Sequence, residues 1–486
     1  MIKSLLKITG MGLSAFIAMP VLTARDHRPN ILWIIADDLG TDLACYGNTV
    51  VRTPNTDLLA YEGMTFTNTF TVVPVSSPSR SCLITGMYPV SIDCHQHRTL
   101  NKDPLPAGVF PITEYFRKAG YWVSNGDAIK FSRAGKTDYN FTFDGKLFDG
   151  PDWTGRKPGQ PFFAQMQIHY PHRPFEADEK HPVDPGKVEI SPAYPDHPVT
   201  RADFALYLES VQHVDECVGL VLKKLEEDGL LDSTIVFFFG DQGRPMVRAK
   251  QFLYDEGIHT PLIIKFPDKR SRGKKVSDLV SLADIPATSL KMAGITLPAY
   301  MQGQDIFWSN KRQYIFTTRD RMDETVDRMR SVRTKDLKYI KNYYPERPYT
   351  QFSFYKVTMY PVLTLMKLMY KEGKLNKSQS VFMSPVKEAE ELYDLRKDPF
   401  ELNNLAGNPS YAADLKKLRA VLDAWVLEND KGKYPEDDAE VSYWKKDSEK
   451  AYIDKMKSYG LPTDISDEDY LKWWEQRLKS TSPGIP

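Results

Sequence analysis

Four apolar runs stand out along the chain, and three of them stop at a polar turn. Ile31-Leu-Trp-Ile-Ile-Ala36 ends in Asp37-Asp38-Leu39-Gly40, and Phe162-Phe-Ala-Gln-Met-Gln-Ile168 ends in His169. Thr234-Ile-Val-Phe-Phe-Phe239 ends in Gly240-Asp241-Gln242-Gly243, and Pro261-Leu-Ile-Ile-Lys-Phe266 is the fourth. Short continuous runs of this kind predict strands buried on both faces. Between the second and third, Phe204, Leu208, Val211, Val214, Val218 and Leu222 form one stripe of a helix over about Arg201 to Asp228. Strand–helix–strand alternation predicts an α/β domain with a largely parallel sheet and helices on both faces. Ligands of such sheets bind outside the carboxyl ends of the strands. Asp37, Asp38, His169 and Asp241 stand at those ends.

The pattern changes after about residue 310. Tyr314–Thr317 and Met329–Arg333 read as shorter strands, followed by a polar, loop-rich stretch. Glu391–Leu395 and a helix near Asp414–Asn429 come next, so residues 326–486 are expected to form a smaller α+β C-terminal domain behind a catalytic domain of residues 25–325. Asp467–Lys479 reads as an amphipathic helix. No internal repeat is visible.

Lys3 and Lys7 flank a short apolar segment that ends at Thr23-Ala24, before the polar turn Arg25-Asp26-His27-Arg28. That pattern predicts a secretory signal over residues 1–24 and hence an exported, periplasmic or secreted protein. The apolar run is shorter than the ~20 residues of a spanning helix, and no later segment is apolar enough to span a bilayer. Lys and Arg number 64 against 64 Asp and Glu, a balance that gives no support to nucleic-acid binding. The spacing of Cys45, Cys82, Cys94 and Cys217 fits no zinc template, and free buried thiols are expected.

The most specific local signal is Ser76-Ser-Pro-Ser-Arg-Ser-Cys-Leu-Ile-Thr-Gly86. Pro78 suits a first helical position with Ser76 or Ser77 as cap, and Gly86 suits a helix stop. Ser76 would then lie at a helix N-terminus, where free N–H groups favour an anion. Taken alone, the stretch fits a capped short helix and an anion site equally.

The same stretch resembles the signature of the formylglycine-dependent sulfatases: Cys or Ser, any residue, Pro, Ser, Arg, two residues, Leu, any residue, Thr, Gly. Every fixed position is met. The resemblance implies an alkaline-phosphatase-like fold and makes Ser76 the precursor of a formylglycine nucleophile, matured by a serine-type sulfatase-maturing enzyme. A hydrated aldehyde attacks sulfur with one hydroxyl and expels sulfate with the other; an unmodified serine would stay sulfated. Asp37, Asp38, Asp241 and Gln242, with residue 76, resemble the family's Ca²⁺ ligands, and hard oxygen donors suit that ion. Gln242 stands where Asn or His is more usual. Lys250, before Tyr254-Asp-Glu-Gly257, and His172 resemble the sulfate-gripping pair, and Arg80 is expected beside residue 76. The family's Gly-Lys-any-His element is matched by Gly135-Lys136-Thr137-Asp138, so Lys136 keeps the cation and Asp138 replaces the His. Lys130 is a rival for the cation.

Within the family the resemblance runs nearest to the N-sulfoglucosamine sulfohydrolase-like branch, over about Asn30 to Asn429. It implies a sulfated glycosaminoglycan oligosaccharide as substrate, with glucosamine N- or 6-O-sulfate of heparin or heparan sulfate foremost. Other carbohydrate O-sulfates (uronate 2-O or chondroitin), or phosphodiester and phosphonate hydrolysis on the same fold, stay open. His95-Gln-His97-Arg98 and His169 are candidates for binding the sugar, and the bland alternative for residues 95–98 is a solvated basic turn.

Overall fold

The computed structural model describes residues 28–433 and 438–481; the expected signal over residues 1–24 lies outside them. Thirteen strands occur among the described residues. They are β1 (Asn30–Ala36), β2 (Met64–Phe66), β3 (Thr69–Phe70), β4 (Trp122–Asp127), β5 (Phe162–Ile168), β6 (Thr234–Gly240) and β7 (Leu262–Lys265). Then follow β8 (Lys274–Val276), β9 (Val280–Ser281), β10 (Ile315–Arg319), β11 (Met329–Arg333), β12 (Leu337–Asn342) and β13 (Glu390–Asp394). The main sheet runs β4-β5-β1-β6-β7-β2-β8.

Strands β4, β5, β1 and β6 are mutually parallel. Alternation along them divides the core into two layers. Leu32, Ile34 and Phe238 pack with the helix Pro198–Glu227, whereas Ile31, Trp33, Ile35 and Phe237 pack on the other face. There the Trp33 indole donates to Ser289 Oγ (2.9 Å) on the helix Asp284–Met292. The fourth apolar run departs from the parallel expectation: β7 pairs antiparallel with β6. A parallel return needs a crossover, usually a helix, and residues 241–261 instead fold over the carboxyl end of the sheet and come straight back.

The second sheet, β10-β11-β12-β13, is antiparallel throughout. The stretch read as loop-rich holds β12 and the helices Phe354–Met359, Pro361–Lys371 and Lys377–Phe382. Strand β12 is hard to see in sequence because buried Lys338 interrupts it, paired to Asp255 (2.6 Å) and Glu401 (2.7 Å). The tail forms the helices Asp438–Ser458 and Asp467–Thr481, of which only the second was expected. All four cysteines are free; three are buried and Cys45 is partly exposed. Among the described residues no helix is long and apolar enough to cross a membrane.

Candidate active site

Register brings the acidic strand ends together. Ala36 lies opposite Ile168 on one side and Gly240 on the other, so Asp37, His169 and Asp241 follow at one level. Asp38 adopts a left-handed conformation (φ 69°), which Asp tolerates better than most residues. It turns back so that its N–H donates to Asp241 Oδ1 at 3.0 Å. Carboxylate oxygens of Asp37, Asp38 and Asp241 lie within 4.8 Å of one another, all buried.

The helix Ser76–Thr85 delivers its N-terminus onto this cluster. Positions 76, 79 and 80 share one face, as i, i+3 and i+4 must. Ser76 Oγ donates to Asp37 Oδ1 (3.0 Å) and Ser79 Oγ to the Asp241 carbonyl (2.6 Å). Arg80 donates to Asp241 Oδ2 (2.9 Å), Gln167 Oε1 (2.7 Å) and Asp37 Oδ1 (3.4 Å). The cap differs from expectation: Val75 is the N-cap, Ser76 the first helical residue and Pro78 the third. The Ser76 hydroxyl points at Asp37 and so is not used for capping. Gly86 ends the helix as expected, left-handed at φ 71°.

Three further side chains converge. Lys136 follows Gly135, where a Cβ would meet the Gly126 carbonyl at 2.4 Å. That close approach lays the loop against β4 and puts Lys136 Nζ on Asp37 Oδ2 (2.7 Å). Lys250 Nζ donates to Asp38 Oδ2 at 2.6 Å, and His172 Nε2 lies 3.9 Å from the same oxygen. Lys130, the rival cation, stays at the surface, with its backbone N–H on Asp127. Burial opposes charge throughout, and the counter-charges outweigh it for Asp37, Arg80 and Lys250. Lys136 and Arg80 hold the Asp37 carboxyl well below the usual range. Asp241 and Asp37 hold Arg80 above its ordinary value, and Asp38 does the same for Lys250. Asp241 goes the other way, pushed up to about 7 by burial despite Arg80. Burial and Lys250 lower His172.

Ser76 forms part of the floor of a cavity of about 330 Å³ that His97, Arg98, His172 and Lys250 also line. Arg98 is held by Asp138 through its Nε (3.4 Å) and terminal nitrogen (3.3 Å). The residue standing in place of the expected His therefore orients a rim cation. His97 lies 3.8 Å from Asp323, and burial, then Arg98 and Lys250, lower its pKa well below the ordinary value.

Two sugar-binding candidates fall elsewhere. His95 is buried against Gly432, where a Cβ would come within 2.4 Å of its ring, so it fills a packing gap. His169 is exposed and lies against the Tyr170 ring (4.0 Å), outside the cavity lining. Sequence reasoning missed Gln167, Asp323, Tyr355, Trp444, Asp447 and Ser448. A signal existed for the first: Gln165 and Gln167 interrupt an otherwise apolar strand. The others arrive from helices and loops distant in sequence.

The donor set fits a hard divalent cation. Gln242 Oε1 is buried with no hydrogen-bond partner while its Nε2 donates to Asp38 Oδ1. Exchanging the two amide positions would turn the orphaned oxygen toward the carboxylate cluster and give four oxygen-bearing side chains around one point.

A sulfatase family model matches residues 29–295, and a model described as N-sulphoglucosamine sulphohydrolase, C-terminal, matches residues 246–379. The chain is 34% identical over 474 residues to an ulvan-active sulfatase of Formosa agariphila, covering 86% of this chain and 78% of that one. It is 27% identical over 467 residues to the N-sulphoglucosamine sulphohydrolase of Homo sapiens, covering 83% and 91%. A solved structure, BT4656 in complex with its substrate D-glucosamine-2-N,6-O-disulfate, shares the fold. Its TM-score is 0.62 at 19% identity, over 84% of this chain and 100% of that one.

Proposed function

This chain belongs to the sulfatase family, and from that premise we propose that it removes sulfate from the terminal sugar of a glycosaminoglycan fragment. Glucosamine N-sulfate or 6-O-sulfate of heparin and heparan sulfate is the group we assign. The observation that carries the reading is Ser76: buried, at a helix N-terminus, 3.0 Å from Asp37, below a cavity of about 330 Å³. That volume is at the low end of ligand sites (~300–1,000 Å³) and suits one sugar ring with its sulfate. The match to the sulphohydrolase C-terminal model supports the glucosamine assignment.

Asp37, Asp38, Asp241 and Gln242, with residue 76, would hold Ca²⁺, which supplies positive charge against the developing negative oxygens. Oxidised to formylglycine by a serine-type maturing enzyme, residue 76 supplies a hydroxyl that attacks sulfur and a second that later expels sulfate. The chain's own side chains do the rest. Asp37 accepts the hydrogen bond of residue 76 and fixes its direction. Three carboxylates face three cations, Arg80, Lys136 and Lys250, so a divalent ion would leave two positive charges for an anionic sulfate. Lys136 and Lys250 grip its oxygens. We assign delivery of the proton to the leaving atom to the imidazolium form of His172, which lines the cavity with Nδ1 donating to the Arg173 carbonyl (2.6 Å) and carries the transferable proton on Nε2, a form that a bound anionic sulfate favours.

A second reading takes its support from the higher identity, 34%, to the Formosa agariphila relative: a sulfated sugar of ulvan. One experiment separates the two. The chain is co-expressed with a serine-type maturase, and mass spectrometry checks that the Ser76 peptide has lost two hydrogens. Sulfate release is then measured from N-, 6-O- and 2-O-sulfated heparin disaccharides, chondroitin disaccharides and ulvan oligosaccharides. Release from the glucosamine set is expected. Release only from ulvan, chondroitin or uronate 2-O-sulfate sinks the glucosamine assignment, and full activity with unmodified Ser76 sinks the mechanism.

A further inference from the structure

We propose that the helix Asp438–Ser458 is the sugar-facing wall of this cavity. On it, Trp444 and Asp447 select a terminal sugar that presents hydroxyl or amino groups over one that presents a carboxylate. The inference rests on the sulfatase reading above and adds to it the residues that choose the sugar.

Trp444, Asp447 and Ser448 line the cavity that Ser76 and Lys250 also line. They stand at i, i+3 and i+4, one face of the helix. The helix lies beyond both matched regions, which end at residues 295 and 379. The wall is therefore not accounted for by the features those family models describe.

Trp444 is fixed in place. Its indole N–H donates to Glu440 Oε1 (2.6 Å), and the same oxygen accepts from the Leu100 N–H (2.8 Å) and from Arg321 (3.1 Å). One carboxylate thus ties the ring to the segment after the Ser76 helix and to the buried Arg321, whose guanidinium also lies 5.7 Å from the ring centroid. Farther along, Tyr459 donates to the Thr358 carbonyl (3.1 Å), pinning the end of the helix beside the cavity residues Tyr355 and Met359. An aromatic ring held this way offers the apolar face of a pyranose a prepaid surface.

Asp447 is exposed and makes no hydrogen bond or ion pair among the described residues. The cavity's cations are Lys250, Arg98 and Arg173, the last already paired to Asp203, and its carboxylates are Asp447 and Asp323. Sulfate is drawn to the first group. The second accepts hydrogen bonds from hydroxyl or ammonium groups and repels a uronate carboxylate, which is discrimination by like charge.

The test compares three substrates on the matured protein: 4-nitrophenyl sulfate, which carries no sugar, a glucosamine-terminated sulfated disaccharide and a uronate-terminated one. For Trp444→Ala, the ratio of saccharide to aryl sulfate kcat/KM is expected to fall about tenfold, and Trp444→Phe is expected to restore most of it. Asp447→Asn is expected to shift the glucosamine-to-uronate ratio about tenfold toward the uronate. Ratios that stay at the wild-type value in Trp444→Ala and Asp447→Asn overturn the proposal. So does wild-type protein that prefers the uronate-terminated substrate. Hydrolysis of aryl sulfate without any saccharide also overturns it but leaves the sulfatase reading standing, whereas a matured wild type inert on all three and on the ulvan and chondroitin oligosaccharides sinks that reading itself. Unfolding temperatures guard against collapse: a variant whose Tm falls is judged by Trp444→Phe and Asp447→Asn alone.

Discussion

Ser76 Oγ and Lys136 Nζ meet on one atom: each lies 3.0 Å from Asp37 Oδ1. The proposed nucleophile and the cation proposed to grip sulfate are therefore registered against each other through a single carboxylate, which Lys136 and Arg80 keep ionised. Asp37→Asn keeps the shape but gives up that charge. Turnover of the matured protein on a sulfated disaccharide is expected to fall by ~10³-fold, the loss typical of an electrostatic group at the reacting centre. A drop of less than about tenfold would remove Asp37 from the machinery.

Removing the proposed Ca²⁺ should cost stability as well as activity. Three carboxylates within 4.8 Å repel one another, and burial pushes Asp241 up to about 7. An ion that binds only the folded chain stabilises it by mass action. A chelator is expected to lower Tm and abolish turnover, with Ca²⁺ restoring both, and Asp241→Asn should blunt the response of Tm to added Ca²⁺. A Tm indifferent to chelator and to Ca²⁺ would contradict the assignment of these ligands.

Much of this site was legible because its parts are local. The apolar runs that end in Asp37 and Asp241 announce strands, and the 76, 79, 80 spacing announces one helix face. Tertiary pairing of such strands supplies the rest with no further information. What escaped was long-range. The antiparallel course of β7 depends on how residues 241–261 spend their length. Gln167 is one of two polar residues in an otherwise apolar strand, and nothing local says that it meets Arg80. Tyr355 sits on a helix of only six residues, and Trp444 and Asp447 on one whose charged composition carries little trace of where it docks. The pairing of Asp138 with Arg98 joins residues 40 positions apart. His95 and His169 were misplaced for the same reason: proximity in sequence to the signature and to a strand end does not say which way a side chain turns.

Lys356 offers a test of how Lys250 is aimed. Burial lowers its pKa well below the ordinary lysine value, with Arg319 and Lys250 adding to the effect. Its Nζ donates to the backbone carbonyls of Val247 and Lys250, each at 2.9 Å. Lys356→Met leaves those carbonyls without their donor, at about 1–3 kcal/mol each, and frees the turn that carries Lys250. Urea unfolding is expected to show the loss of stability. Steady-state kinetics should show a fall of about tenfold or more in kcat/KM at temperatures where the variant remains folded. Wild-type kcat/KM in a destabilised variant would make Lys356 a purely structural residue.

His259 should give the fold a measurable pH dependence on the acid side. Its ring stacks on Phe70 (4.8 Å) and its Nε2 is 2.9 Å from the Thr67 carbonyl. Burial lowers its pKa to about 4, with Arg333 and Lys338 assisting and Asp255 opposing. In the unfolded chain the imidazole returns to ~6.5. Between those two values the unfolded state binds the proton and the folded state does not, so stability falls as pH drops from 6.5 toward 4 and levels off below. The slope is at most about 1.4 kcal/mol per pH unit. Glu324 and Glu401, each pushed up to about 7 by burial, act in the opposite sense, since their folded forms hold protons that the unfolded chain has released. The wild-type profile mixes both signs, and the difference between wild type and His259→Asn isolates the histidine. Urea midpoints at pH 7.5, 6.0 and 5.0 are expected to converge as pH falls, because the variant has no ring to keep unprotonated. Parallel profiles for the two proteins would mean that His259 titrates alike in the folded and unfolded chain.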